Sequence, residues 1–134
     1  MNKLEIDIKL GGVDGKNILW VNQMPPQQPR KQSMNLTLLV RWLYRSIWKG
    51  DCPTSQKYDF FIEQNGNIVW QWSNGRVFNQ VHTTVEISGG DWEEFTETWQ
   101  FQTNEIAQGK YTARAIFIAS GQEISKNFEV KFAY

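Results

Sequence analysis

The sequence predicts an all-β domain, an antiparallel immunoglobulin-like β-sandwich of about eight or nine strands. Apolar and polar residues alternate along most of the 134-residue chain, as they do in half-buried strands. Turn residues such as Asn65-Gly66 and Gly89-Gly90 interrupt this alternation at the short intervals typical of a sandwich. Seven tryptophans and eight phenylalanines supply the apolar area for a core. A small barrel is the alternative architecture.

The predicted strands follow the alternation in chain order. Asn65-Gly66 favours a tight turn with positive φ, so residues 58–72 should form a hairpin. Segment 41–49 is compatible with two helical turns or an irregular edge strand, and we expect a strand. Residues 76–80 are expected to form a short helical turn. The strands with clear alternation are 4–10, 36–42, 58–62, 68–72, 81–87, 95–101, 111–117 and 128–132, with a short apolar run at 18–21.

Composition and charge exclude several classes of protein. Residues 1–134 have the length of one domain, and their 14 basic and 14 acidic residues leave no net charge, which disfavours a nucleic-acid partner. Cys52 is the only cysteine, so an internal disulfide is impossible. The alternating N-terminus resembles neither a signal peptide nor a membrane span. We therefore expect a cytoplasmic protein with no membrane association.

Catalytic and metal-binding patterns are poor in this chain. His82, the only histidine, lies on the polar side of its strand, and no recognisable nucleophile motif surrounds a Cys52–His82 pair. The acidic cluster Asp91, Glu93, Glu94 and Glu97 lacks the spacing of a calcium loop and is interpreted as a solvated strand edge. We therefore predict that the chain is not an enzyme and that it binds neither a metal nor a cofactor.

The tryptophans of the second hairpin strand allow two interpretations. Trp70 and Trp72 are two residues apart and so project from the same face of the strand. On an exposed face they would form a stacking platform for sugars or bases. Packing into the sandwich core, with Phe78 and Trp99 as neighbours, is the interpretation that we favour.

A series of aromatic and glycine motifs in the chain resembles, in its order and spacing, the BsuPI family, the intracellular proteinase inhibitors of Bacillus and their relatives. The resemblance covers about residues 34–132. The segment 42–48 is bulkier than the family pattern, and the first 33 residues are poorly covered. The motifs that carry the resemblance are Tyr58-Asp59-Phe60, Val69-Trp70-Gln71-Trp72-Ser73 with Gly75 and Phe78, Gly90 with Phe95 and Trp99, and Gly109 with Tyr111.

The resemblance implies an immunoglobulin-like sandwich that inhibits intracellular subtilisin-like serine proteases. An inhibitor of this kind presents a rigid extended segment to the protease cleft, where main-chain hydrogen bonds supply affinity and one side chain fills the specificity pocket. The proline-rich segment 22–33 is the first candidate, with Met24 as an apolar plug and Pro25 making the Met24–Pro25 bond a poor substrate. A simple proline-rich connector between strands is the interpretation that we favour for this segment.

A second candidate surface lies in segment 42–48. If its tryptophans are exposed, they indicate a protein-interaction surface, and the chain would be a non-inhibitory interaction module. Carbohydrate binding through exposed tryptophans is a third possibility. The expected partner-binding residues from both segments are Met24, Pro25, Pro26, Gln27, Arg30, Trp42, Tyr44 and Trp48.

Overall fold

The computed structural model describes residues 3–23 and 30–133. Regular structure in these residues consists of strands, and the predicted antiparallel sandwich is confirmed. The strands are β1 (Glu5–Gly11), β2 (Ile18–Asn22), β3 (Lys31–Arg41), β4 (Ile47–Cys52), β5 (Tyr58–Gln64), β6 (Asn67–Gln71), β7 (Thr83–Ser88), β8 (Glu93–Gln102), β9 (Gly109–Phe117) and β10 (Gln122–Ala133).

Two sheets form the sandwich, and a separate ribbon lies beside them. The first sheet has the order β1-β3-β8, and the second has the order β2-β10-β9-β5-β6. Strands β4 and β7 pair only with each other. Consequently β8 and β6 are both edge strands, one in each sheet. All pairings are antiparallel except that of β2 with β10, which is parallel.

Alternation along the strands places one side of each sheet in a shared core. In β9 the side chains of Tyr111, Ala113, Ala115 and Phe117 are buried, while the intervening residues are not. The two sheets meet through aromatic contacts, such as that of Phe95 in β8 with Phe117 in β9, whose ring centroids lie 5.8 Å apart. Burial of such large apolar surfaces is the main term that holds the sheets together.

The hairpin at residues 58–72 is confirmed by β5 and β6. Asn65 and Gly66 connect the two strands with φ angles of 53° and 78°, the left-handed values that a two-residue turn requires. The prediction of a helical turn at 76–80 is wrong. The turn comes earlier, at residues 72–75, and residues 76–80 have no regular structure.

Segment 41–49 is strand at both ends, with a bend at residues 44–46 between β3 and β4. The proline-rich loop is shorter than expected, because β3 already begins at Lys31, which pairs with Gln102. Residues 3–23 and 30–133 contain no helix that is long and apolar enough to cross a membrane.

Candidate partner-binding surface

A buried carboxylate ties β5 to the turn that follows β6. Asp59 is only 5% exposed. Its carboxylate accepts hydrogen bonds from the backbone N–H of Phe60 (2.9 Å), from Gln71 Nε2 (2.9 Å), and from both N–H (3.0 Å) and Oγ–H (2.5 Å) of Ser73. Charge-assisted hydrogen bonds of this kind are stronger than neutral ones. They therefore fix the position of the turn at Trp72–Gly75.

Stacking of Trp72 on Tyr58 also supports this turn. The Trp72 ring stacks on Tyr58 at a centroid distance of 4.9 Å. The Tyr58 hydroxyl donates a 2.5 Å hydrogen bond to Glu97. Burial, reinforced by this bond, raises the pKa of Tyr58 above its usual value. Glu97 is half-buried, on the same side of β8 as Phe95, so it departs from the predicted solvated edge, whereas Glu93 and Glu94 are exposed as expected.

The tryptophans of the hairpin region pack as predicted. Trp70 lies against Trp99 with ring centroids 6.5 Å apart, and Trp72 lies against Phe78 at 5.8 Å. Both tryptophans are half-buried and belong to the periphery of the core. The packing interpretation is therefore confirmed.

Residues 75–81, which we call the projecting segment, leave the framework directly after this turn. Val77, its third residue, is 96% exposed. The half-buried Phe78 packs on Trp72, and the Arg76 guanidinium lies 4.5 Å from the centroid of the Trp72 ring. Val77 is therefore the most exposed apolar side chain of the segment, ahead of Val81 at 58%, while Arg76 and Phe78 hold the segment to the framework.

The flanks of the proline-rich loop are fastened at the other end of the sandwich. Gln23 donates from Nε2 to the Thr103 carbonyl at 2.7 Å. The backbone N–H of Arg30 donates to the Thr103 hydroxyl at 3.1 Å, and the backbone N–H of Thr103 donates to the Arg30 carbonyl at 2.8 Å. Arg30 itself is exposed. The predicted contact residues Met24, Pro25, Pro26 and Gln27 lie outside the described residues.

Residues 42–48, which we call the aromatic loop, are partly core and partly surface. Trp42 is only 4% exposed, and its Nε1–H donates to Ser46 Oγ at 3.0 Å. Trp48 is half-buried, with its ring centroid 6.2 Å from that of Phe117. Tyr44 is 55% exposed and contacts the Trp42 ring at 4.8 Å. The tryptophans thus support the loop, and Tyr44 is its predicted contact residue with the greatest exposure.

The two predicted surfaces lie at opposite ends of β3. Arg30 precedes the strand and Trp42 follows it. Eleven extended residues span roughly 33 Å at about 3.3 Å per residue. The proline-rich loop and the aromatic loop are therefore separate surfaces. The short ribbon of β4 and β7 runs between the projecting segment and the aromatic loop, since Cys52 pairs with Thr83 at the first end and Ile47 with Ser88 at the second.

The pair considered for catalysis lies at one end of the ribbon, where Cys52 pairs with Thr83, the residue after His82. Cys52 is fully buried, and burial raises the pKa of its thiol, opposite to the shift that activates a nucleophile. His82 is exposed, as predicted, and lies 3.7 Å from Asp51. Within residues 3–23 and 30–133, no group of three or more acidic, histidine or cysteine side chains is placed to hold a metal ion.

Val77 is the surface residue that sequence periodicity does not indicate. It follows the Ser73-Asn74-Gly75 break and belongs to no alternating run. An isolated apolar residue directly after a turn is the available signal. That signal is weak, because single apolar residues are common on protein surfaces.

Comparison of the sequence with protein-family models identifies one family. Residues 27–122, well over half of the chain, match the BsuPI family, described as intracellular proteinase inhibitor. A search of curated proteins finds no match. Among solved structures, the CARDB domain of a Pyrococcus furiosus protein, solved in complex with di-metal ions, is 12% identical with a TM-score of 0.44. The alignment covers 97% of this chain and 89% of that one.

Proposed function

Because the chain belongs to the BsuPI family of intracellular proteinase inhibitors, we propose that it inhibits subtilisin-like serine proteases by inserting an exposed surface segment into the active-site cleft. The family match over residues 27–122 is the observation that carries this function. The rigid framework adds support, since a segment held in its bound conformation loses little entropy on binding. In this proposal residues 1–134 act as one cytoplasmic β-sandwich domain, which needs no catalytic residue, metal or cofactor.

A protease panel tests the proposal. The purified protein is titrated into subtilisin-like and other serine proteases, and residual activity is followed with a chromogenic peptide. A stoichiometric loss of activity for a subtilisin-like enzyme is the expected result. Absence of inhibition of every protease in the panel at micromolar protein would refute the function.

The proline-rich loop remains one candidate for the inhibitory segment. In that case Met24→Asp abolishes inhibition, because a charged side chain cannot be buried in an apolar pocket without a large penalty. Met24→Leu is the matched control and should inhibit normally. Unchanged inhibition by Met24→Asp removes the loop from the candidates.

A non-inhibitory interaction module is the second candidate function. Leu43, Tyr44 and Ile47 are exposed side by side on the aromatic loop, a cluster that suits contact with a protein. A wild-type protein that inhibits no protease, but binds a partner in a Tyr44-dependent manner, would favour this function over inhibition.

A further inference from the structure

The backbone of the projecting segment is open at Val77. Among the described residues, no hydrogen bond involves the backbone N–H or carbonyl of Val77. Residues 76–81 also have no positive φ angle, so their backbone lies in the region open to ordinary residues. Both backbone groups of Val77 are therefore free to pair with an extended strand of another protein.

Both flanks of the segment are anchored. On the N-terminal side, Arg76 donates from its backbone N–H to Ser73 at 3.0 Å and from Nε to the Trp72 carbonyl at 2.9 Å. On the C-terminal side, Asn79 exchanges two hydrogen bonds with Ser55, at 3.0 Å and 2.9 Å. Only two residues separate these anchors, so the position of Val77 is well defined before any partner binds.

We propose that the projecting segment is the inhibitory segment and that Val77 enters the apolar specificity pocket of a subtilisin-like protease. The proposal rests on the protease-inhibitor function and names its contact residue. Arg76 and Phe78 both pack on the Trp72 ring, and Val81 is only 58% exposed, so Val77 is the most exposed apolar side chain that the segment offers to the pocket. Preorganisation of the backbone lowers the ordering cost of binding.

Among the described residues, Val77 has the largest exposed fraction of the large apolar side chains. Tyr44 on the aromatic loop is 55% exposed and already contacts Trp42. An anchor residue gains most when it passes from full exposure into a desolvated pocket, because apolar burial is roughly proportional to the area removed from water. Val77 satisfies this condition better than the exposed residues of the aromatic loop.

Four aspartate variants test the proposal in the protease assay, one on each of the three candidate segments and one outside them as a control. Val77→Asp should raise the inhibition constant by about 30-fold or more, as expected for loss of a central anchor. Val69→Asp is the matched control, since Val69 is also exposed, and it should stay within about threefold of wild type. Met24→Asp and Tyr44→Asp report on the two alternative surfaces, and both should inhibit like the control.

Val77→Leu keeps an apolar side chain and should retain inhibition. It shows whether the loss in Val77→Asp comes from the charge or from any change of side chain at this position. Normal inhibition by Val77→Asp, with a strong loss in Met24→Asp or Tyr44→Asp, would overturn the assignment of Val77 and leave the inhibitor function intact. Failure of the wild-type protein to inhibit any protease would overturn both. Because Val77 is almost fully exposed, its variants should fold normally, and their thermal unfolding midpoints check this.

Discussion

Replacing Asp59 with alanine should destabilise the fold far more than an ordinary surface substitution. The change removes the acceptor for four hydrogen bonds, two of them from backbone N–H groups of Phe60 and Ser73. Gln71 can turn its amide towards solvent, but the two backbone donors cannot move without disturbing β5 or the turn. Each buried donor left without a partner costs about 1–3 kcal/mol, so the free energy of unfolding should fall by about 2–5 kcal/mol.

Asparagine at position 59 separates hydrogen bonding from charge. Asp59→Asn keeps one oxygen for the backbone donors and requires Gln71 and Ser73 to reorient towards an amide nitrogen. We expect a loss of about 1–2 kcal/mol, less than for alanine, because the two backbone donors retain an acceptor. The order of stability should therefore be wild type, Asp59→Asn, Asp59→Ala.

Urea unfolding followed by tryptophan fluorescence measures these differences, provided that the slope of free energy against urea stays constant. Asp7→Ala is the matched control, because Asp7 also accepts a hydrogen bond from the next backbone N–H, at 2.8 Å, but is exposed. That variant should lose no more than about 0.5–1 kcal/mol. A loss for Asp59→Ala as small as that of the control would refute the proposed role of the carboxylate.

Two further predictions follow from the framework. Gly89→Ala should lower the free energy of unfolding by more than about 3 kcal/mol or prevent folding, because the added Cβ would lie 1.8 Å from the Tyr44 carbonyl oxygen. Gly15→Ala is the control: its added Cβ has no neighbour within 4 Å, so its stability in the same urea unfolding assay should equal that of the wild type. Burial and the hydrogen bond to Glu97 raise the pKa of Tyr58, so the folded state keeps a proton that the unfolded state releases near pH 10. The free energy of unfolding should therefore decrease as the pH rises above about 10, and less steeply in Tyr58→Phe; equal slopes would contradict this.

Local features of the sequence were sufficient to predict the framework. The Asn65-Gly66 turn requires only two adjacent residues with left-handed backbone angles, so the hairpin follows from a short stretch of chain. The packing of Trp70 and Trp72 follows from the two-residue period of a strand that faces a second sheet. Features whose cause lies within a few residues are the ones that a sequence pattern indicates well.

Features set by distant residues were not predicted. The backbone of residues 76–80 is held by Ser55, which lies 24 residues from Asn79, so local propensity wrongly favours a helical turn there. Glu97 turns inward because the Tyr58 hydroxyl, 39 positions away, donates to it. The parallel pairing of β2 with β10 likewise joins the two ends of the described chain. Each of these features depends on a contact that only the folded chain creates.

The motifs that identify the family stabilise the fold, whereas Val77, the residue proposed to contact the protease, contributes almost nothing to stability. Asp59, Gln71 and Ser73 hold the turn through buried or half-buried hydrogen bonds, so their replacement costs stability. Val77 lies only two positions beyond Gly75, yet it is exposed and makes no backbone hydrogen bond among the described residues, so its replacement costs the fold almost nothing. With Val77 as the proposed contact residue, a relative could keep all of these motifs and change its target protease by one substitution at this position. Family membership accordingly predicts the framework much more strongly than it predicts the protease that is inhibited.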